Sequence, residues 1–169
     1  MDKLVRAYTA AYGGEPVVNQ KIIERDQCPV ADFLTAVLPE SSDSPSLELN
    51  KERLKAGDSL QGKLSGTANR DVNLLLVGKD GVVYNFGNLL KKSGEDEATF
   101  SMKLFPLTDE ETTKAEPHLI VAFLSDDGVR SADIVDPELA SDLFPRIRAE
   151  LKAQPKKAGV AVGYFLFDR

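Results

Sequence analysis

Residues 160–167 read Val-Ala-Val-Gly-Tyr-Phe-Leu-Phe, with an apolar or small side chain at every position. In an extended chain, Val160, Val162, Tyr164 and Leu166 point to one face and Ala161, Gly163, Phe165 and Phe167 to the other. A strand apolar on both faces belongs inside a sheet and is covered from both sides. The chain must therefore supply partner strands and two covering layers. Residues 72–77, interrupted only by Asn73, and residues 119–124 have the same character and read as buried strands.

Shorter alternating runs lie around them. Leu47 and Leu49 alternate with polar residues, as do Leu60, Gly62 and Leu64 after a turn at Ala56-Gly57-Asp58. Lys79-Asp80-Gly81 is a hairpin signal leading into Val82, Tyr84 and Phe86, because Asp-Gly accommodates the positive φ of tight turns. Phe100, Met102 and Leu104 alternate again, and Ser125-Asp126-Asp127-Gly128 closes the 119–124 strand. Six or seven short strands in this region predict a small antiparallel, Ig-like β-sandwich over 47–135.

The ends of the chain read differently. Residues 2–12 carry Leu4, Tyr8 and Ala11 on one helical face, ended by Gly13-Gly14, and 16–24 read as a strand. Val30, Phe33, Leu34, Val37 and Leu38 have helical spacing, stopped by Pro39. Asp136-Pro137 opens a second helix with Leu139, Leu143, Ile147 and Leu151 on its face, which Pro145 should kink or split. The fold class expected is α+β. Residues 1–38 together with 136–169 form an α/β unit, with the last strand paired to 16–24. Residues 39–46, a polar stretch flanked by prolines, form the linker to the sandwich. A single α+β domain is the alternative.

Composition narrows the function. The 169 residues carry 27 Asp and Glu against 21 Lys and Arg, a net charge of −6. The basic residues are scattered apart from the pairs Lys91-Lys92 and Lys156-Lys157, so nucleic acid is not an expected partner. The longest apolar runs fall far short of the ~20 residues that span a bilayer. The first residues lack the apolar core of a signal peptide, which fits a cytosolic protein or a piece of a longer chain.

One cysteine, Cys28, and one histidine, His118, cannot make a Cys/His zinc site in a single chain. No cofactor or metal is expected. The acidic clusters Glu95-Asp96-Glu97, Asp109-Glu110-Glu111 and Asp126-Asp127 lack EF-hand spacing and read as solvated loops. Cys28 precedes a helix, where a thiol can be activated. It reads as a buried structural thiol, as half of a disulfide whose partner lies elsewhere, or as a nucleophile with His118 as its base. His118 reads as a surface or hydrogen-bonded residue, since no Gly-x-Ser-x-Gly elbow accompanies it. The strand around Tyr164-Phe165-Leu166-Phe167 reads as core or as the lining of a ligand groove. No catalytic residue is assigned.

Gly13-Gly14-Glu15-Pro16-Val17, Ile23 and Gln27-Cys28-Pro29-Val30-Ala31-Asp32-Phe33-Leu34 resemble a region of alphaproteobacterial proteins. There it follows a Ser/Thr protein kinase domain or a caspase-like domain, usually with a membrane anchor. Leu47-Glu48-Leu49, Lys55-Ala56-Gly57-Asp58, Asn73-Leu74-Leu75-Leu76-Val77 and Asp80-Gly81-Val82-Val83-Tyr84-Asn85 continue the similarity into a β-sandwich module. The most specific segment is Gln-Cys-Pro-(apolar)-Ala-x-Phe-Leu. The resemblance implies the C-terminal extracytoplasmic, periplasmic region of a membrane-anchored kinase or related envelope protein. It also implies a second cysteine upstream that could pair with Cys28 in the full-length protein.

The expected function is a non-catalytic sensory or protein-interaction module. Its ligand is a protein, peptide or glycan, and it meets the membrane only through a segment absent from this chain. A cytosolic adaptor is the alternative and a Cys-dependent enzyme the third reading. Long connections commonly carry recognition. Candidate interaction residues are therefore Asn85, Asn88, Lys91 and Lys92 in the loop 85–92, and Asp109, Glu110 and Glu111 in the loop 107–117.

Overall fold

Alternating burial along the strands sorts the side chains into two separate cores, and the architecture follows from that sorting. The computed structural model describes residues 21–38, 45–105, 114–154 and 158–168. Its strands are β1 (Ser46–Leu49), β2 (Arg53–Lys55), β3 (Ser59–Ser65), β4 (Asp71–Val77) and β5 (Val82–Asn85). They continue with β6 (Lys91–Lys92), β7 (Glu97–Lys103), β8 (Glu116–Ser125), β9 (Glu138–Leu139) and β10 (Gly159–Asp168). The helices are α1 (Cys28–Val37) and α2 (Ala140–Ala153).

A four-stranded sheet runs β1-β3-β7-β6 and a six-stranded sheet β2-β10-β8-β4-β5-β9. Neighbours are antiparallel except β10 and β2, which are parallel. The two sheets face each other as a sandwich, and the helices cover the outer face of the larger one. The protein is an α+β fold containing a β-sandwich.

The parity of β8 shows how the layers are held. Ile120, Ala122 and Leu124 pack into the core between the sheets with Leu60, Leu64, Phe100 and Phe165. Leu119, Val121 and Phe123 pack into the helix-side core with Val30, Phe33, Phe144 and Ile147. The Phe33 ring meets Phe123 edge-on at 5.7 Å and Phe144 at 5.1 Å, joining α1, the sheet and α2. β10 follows the same rule, with Ala161, Phe165 and Phe167 toward the sandwich and Val160 toward the helices.

The two-sided burial of residues 160–167 and 119–124 is as expected, but the partners differ. β10 pairs with β8 over nine positions, from Gly159↔Leu124 to Phe167↔Glu116, and with β2 through Leu166↔Arg53 to Asp168↔Lys55. The C-terminal segment thus belongs to the sandwich's own six-stranded sheet. Of 16–24, residues 21–24 are described and form no strand. They lie over β10 through side chains, with the Tyr164 hydroxyl donating to the Ile22 carbonyl at 3.0 Å. α1 meets α2 through Phe33 and Phe144. The helix at 2–12, the Gly13-Gly14 stop and most of the 39–46 linker lie outside the described residues.

The second helix begins at Ala140, not at Asp136, because Glu138–Leu139 pair with β5 as an edge strand. Leu139 is accordingly half exposed rather than part of the helix face. Pro145 neither splits nor ends α2. Its missing N–H deprives only the Ser141 carbonyl of a helix bond, and that first-turn residue lies on the solvent side.

Gln27 joins the helix layer to the sheet. Its side chain is fully buried. Nε2 donates to the carbonyls of Pro117 at 2.9 Å and Gly78 at 3.0 Å, where the β4–β8 ladder stops. Its Oε1 accepts from the Glu24 N–H at 3.1 Å. Gly81, at φ +73°, lets the β4–β5 hairpin approach the same turn: a Cβ there would lie 2.5 Å from the Asp26 carbonyl oxygen. Gln27→Leu should remove about 2–4 kcal/mol of stability, because two buried carbonyls lose their donor. Gln27→Glu should cost at least as much, since a carboxylate only accepts and would face those carbonyls. Urea denaturation of the three proteins measures both.

Candidate functional site: a cleft at the end of the sandwich

The sheets do not close at the end where β7 and β10 finish and β8 begins. A cleft of about 290 Å³ opens there between them. Leu76, Tyr84, Met102, His118, Phe165 and Phe167 line it, and Lys79, Asp80 and Glu116 stand among its polar groups. Each strand contributes through its sandwich-facing parity, so residues far apart in sequence converge without a shared motif. Phe105, 65% exposed, extends the apolar lining to the surface.

His118 stands on the same face of β8 as Ile120. Its ring stacks on Phe165 at 5.2 Å and meets the edge of Phe167 at 6.1 Å. Nδ1 lies 3.1 Å from the Glu116 carbonyl oxygen. A carbonyl only accepts, so Nδ1 carries the hydrogen and Nε2 of the neutral ring is an acceptor. Burial lowers the His118 pKa, outweighing the Glu116 hydrogen bond that works in the opposite direction. Burial also raises the Tyr84 pKa, and the Asp80 charge adds to it. The Glu116 carboxylate is buried and receives Lys79 Nζ at 2.5 Å. The arrangement suits an apolar guest and keeps its one imidazole neutral.

The residues expected to carry function are dispersed. Cys28 is exposed at the start of α1, not buried. α1 covers the helix side of the six-stranded sheet and His118 faces the sandwich side, so the two form no dyad. The 85–92 segment is an ordered crossover rather than a free loop. Asn85 donates to the Ala132 carbonyl at 3.2 Å and accepts from the Gly87 N–H at 2.8 Å. Lys91 and Lys92 form the edge strand β6, paired with Thr99 and Ala98. Exposed lysines on an edge oppose further strand addition. Asn88 and Lys91 line one shallow groove with Gln61 and Thr99.

Of the acidic clusters, Asp96 caps the Ala68 N–H at 2.9 Å and Glu97 pairs with Lys63 at 2.6 Å. Asp109, Glu110, Glu111, Lys156 and Lys157 lie outside the described residues. Among the described residues no three His, Cys, Asp or Glu side chains gather as a metal site, and no helix is long and apolar enough to cross a membrane.

Sequence reasoning singled out His118 and the 164–167 strand separately and missed their meeting. The signal available was parity: Phe165 and Phe167 share one face of their strand, and His118 falls on the same parity as Ile120, Ala122 and Leu124.

No family model and no curated protein matches the chain. Among solved structures, a DUF4785 family protein from Legionella pneumophila is similar over 72% of this chain, with 13% identity and a TM-score of 0.40. This chain spans about a quarter of that protein, 27%. A likeness of this degree carries no argument about function.

Two outcomes follow from the site. The folded-state pKa of His118 lies below the unfolded value of about 6.5, so the unfolded chain binds more protons in between. The stability contributed by the neutral ring is complete above pH ~6.5 and is lost as pH falls through the lowered value. His118→Phe should remove that component, seen as a smaller drop in urea midpoint from pH 7 to pH 5 than in the parent. Cys28, being exposed, should titrate as one full thiol with Ellman's reagent in the native state. Cys28→Ser should move stability by less than about 0.5 kcal/mol.

Proposed function

We propose that this chain is a non-catalytic interaction module: the extracytoplasmic sensing part of a bacterial membrane-anchored signalling protein related to Ser/Thr kinases. A protein or peptide partner binds at the end of the sandwich. The cleft carries this reading, because its aromatic walls sit open at the surface and an exposed Phe105 continues them outward. Pockets lined mainly by apolar side chains with a few polar groups are where ligands bind. The resemblance around Gln27-Cys28-Pro29 supplies the signalling context. Much of that segment has structural work in this fold, Gln27 as the buried clamp and Val30 and Phe33 as core. The exposed Cys28 is free of that work and matches the position that an upstream cysteine would pair with.

The cleft also bears on the enzyme alternative. A thiol on the outer helix layer and an imidazole inside the sandwich do not support a cysteine nucleophile served by His118.

Sequencing the locus upstream of Met1 tests the proposal. A reading frame continuing into a kinase-like or caspase-like domain, then ~20 apolar residues and a second cysteine, is the expected result. An in-frame stop directly before Met1 would overturn the membrane-signalling role in favour of a cytosolic adaptor.

A further inference from the structure

We infer that the cleft receives an aromatic side chain bearing a ring N–H or O–H, a tryptophan or tyrosine of the partner, which donates to Nε2 of His118. The inference rests on the cleft being the partner site and names what enters it.

Three observations carry it. The first is the fixed tautomer. The Glu116 carbonyl holds the hydrogen on Nδ1, so the ring offers an acceptor through its other nitrogen. Among the described residues His118 makes no hydrogen bond through Nε2, while the ring lines the cleft. Nε2 keeps some accessible surface in the cleft, so an incoming donor takes the place of its contact with solvent, worth the net of one hydrogen bond.

The second is the wall chemistry. Phe165 stacks on the imidazole and Phe167 meets it edge-on, and Tyr84, Leu76 and Met102 complete the lining. Aromatic pairs favour offset-stacked and edge-to-face contacts, so a flat ring is held better here than an aliphatic chain. Methionine adapts to such a guest and adds a sulfur–ring contact. The volume of about 290 Å³ exceeds the roughly 150 Å³ that suffices for benzene in an apolar cavity. It is too small for a large ligand but accommodates one side chain.

The third observation selects a peptide over a free aromatic molecule. Phe105 stands 65% exposed at the mouth. A guest filling the cleft alone leaves it in water, whereas a chain continuing past the mouth covers it.

The 169-residue chain contains no tryptophan, so an added indole can be excited beyond the tyrosine band and reports its own surroundings. The probes are indole, N-methylindole and N-acetyltryptophanamide. Indole should bind with a blue-shifted emission and a Kd on the order of 1 mM, as expected for so few atoms. N-methylindole, which keeps the ring system but carries a methyl group in place of the donor hydrogen, should bind about threefold to tenfold more weakly, the worth of one hydrogen bond. N-acetyltryptophanamide should bind at least as tightly as indole. His118→Phe keeps an aromatic ring and removes the acceptor, so it should abolish the preference for indole over N-methylindole.

Equal binding of indole and N-methylindole to the parent protein would overturn the inference, and it needs no variant that folds. It would leave an apolar partner site intact, so it is distinct from failure of the proposed function, which the upstream reading frame decides. Rejection of N-acetyltryptophanamide with retention of indole would overturn the peptide source. Absence of binding by all three probes at ten times the expected Kd would overturn the inference altogether.

Discussion

The fold depends on β8 being buried along both faces. Of its ten residues only His118 is not fully buried. Leaving either face open would expose a row of Leu, Ile, Val and Phe side chains, each worth about 1.5–3 kcal/mol in burial. The four-stranded sheet covers one face and the two helices cover the other. β4 and β10 flank β8 and carry the same two-sided pattern, so the three strands form the middle layer of a three-layer stack. Everything else in the described structure either covers that layer or ties the cover down.

The ties are polar and few. Gln27 anchors the start of α1 to the ends of β4 and β8. Asn73, the one polar residue in the apolar run of β4, does comparable work farther along. It donates to Asp133 at 2.7 Å and accepts from the Val129 N–H at 3.1 Å, fixing the loop that leads toward α2. Glu150 on α2 accepts from the N–H groups of Arg130 and Ser131 at 2.7 and 2.8 Å, holding the same loop from the other side. These groups are satisfied where they are buried, which is the condition under which buried polar residues strengthen specificity instead of weakening the core. His118 differs from them: it has a partner on one nitrogen and faces a cleft with the other.

Several elements could be read from local pattern because the physics behind them is local. The 28–37 helix follows from 3.6-residue spacing, and the hairpin at 78–81 follows from an Asp-Gly pair. β3, β4, β7 and β8 follow from alternation or from continuous apolar runs. β2, β6 and β9 are two or three residues long, too short to show a period. They exist because a longer neighbour offers an unpaired edge. The late start of α2 has the same origin: Leu139 is drawn into the sheet by β5, so the helix begins after it.

Local pattern alone requires residues 119–124 and 160–167 to be covered on both faces, because side-chain direction in a strand alternates whatever the partner. The same local reading places a left-handed turn at Gly81 and a helix start near Pro29. That β10 lies between β2 and β8 is settled by long-range packing, since strand pairing joins segments that carry no label for one another. The same holds for the cleft. It is the space left where five strand ends meet, and His118 acquires its neutral, half-buried character from Phe165, directly across the ladder, and Phe167, diagonal to it, both about fifty residues away in the chain.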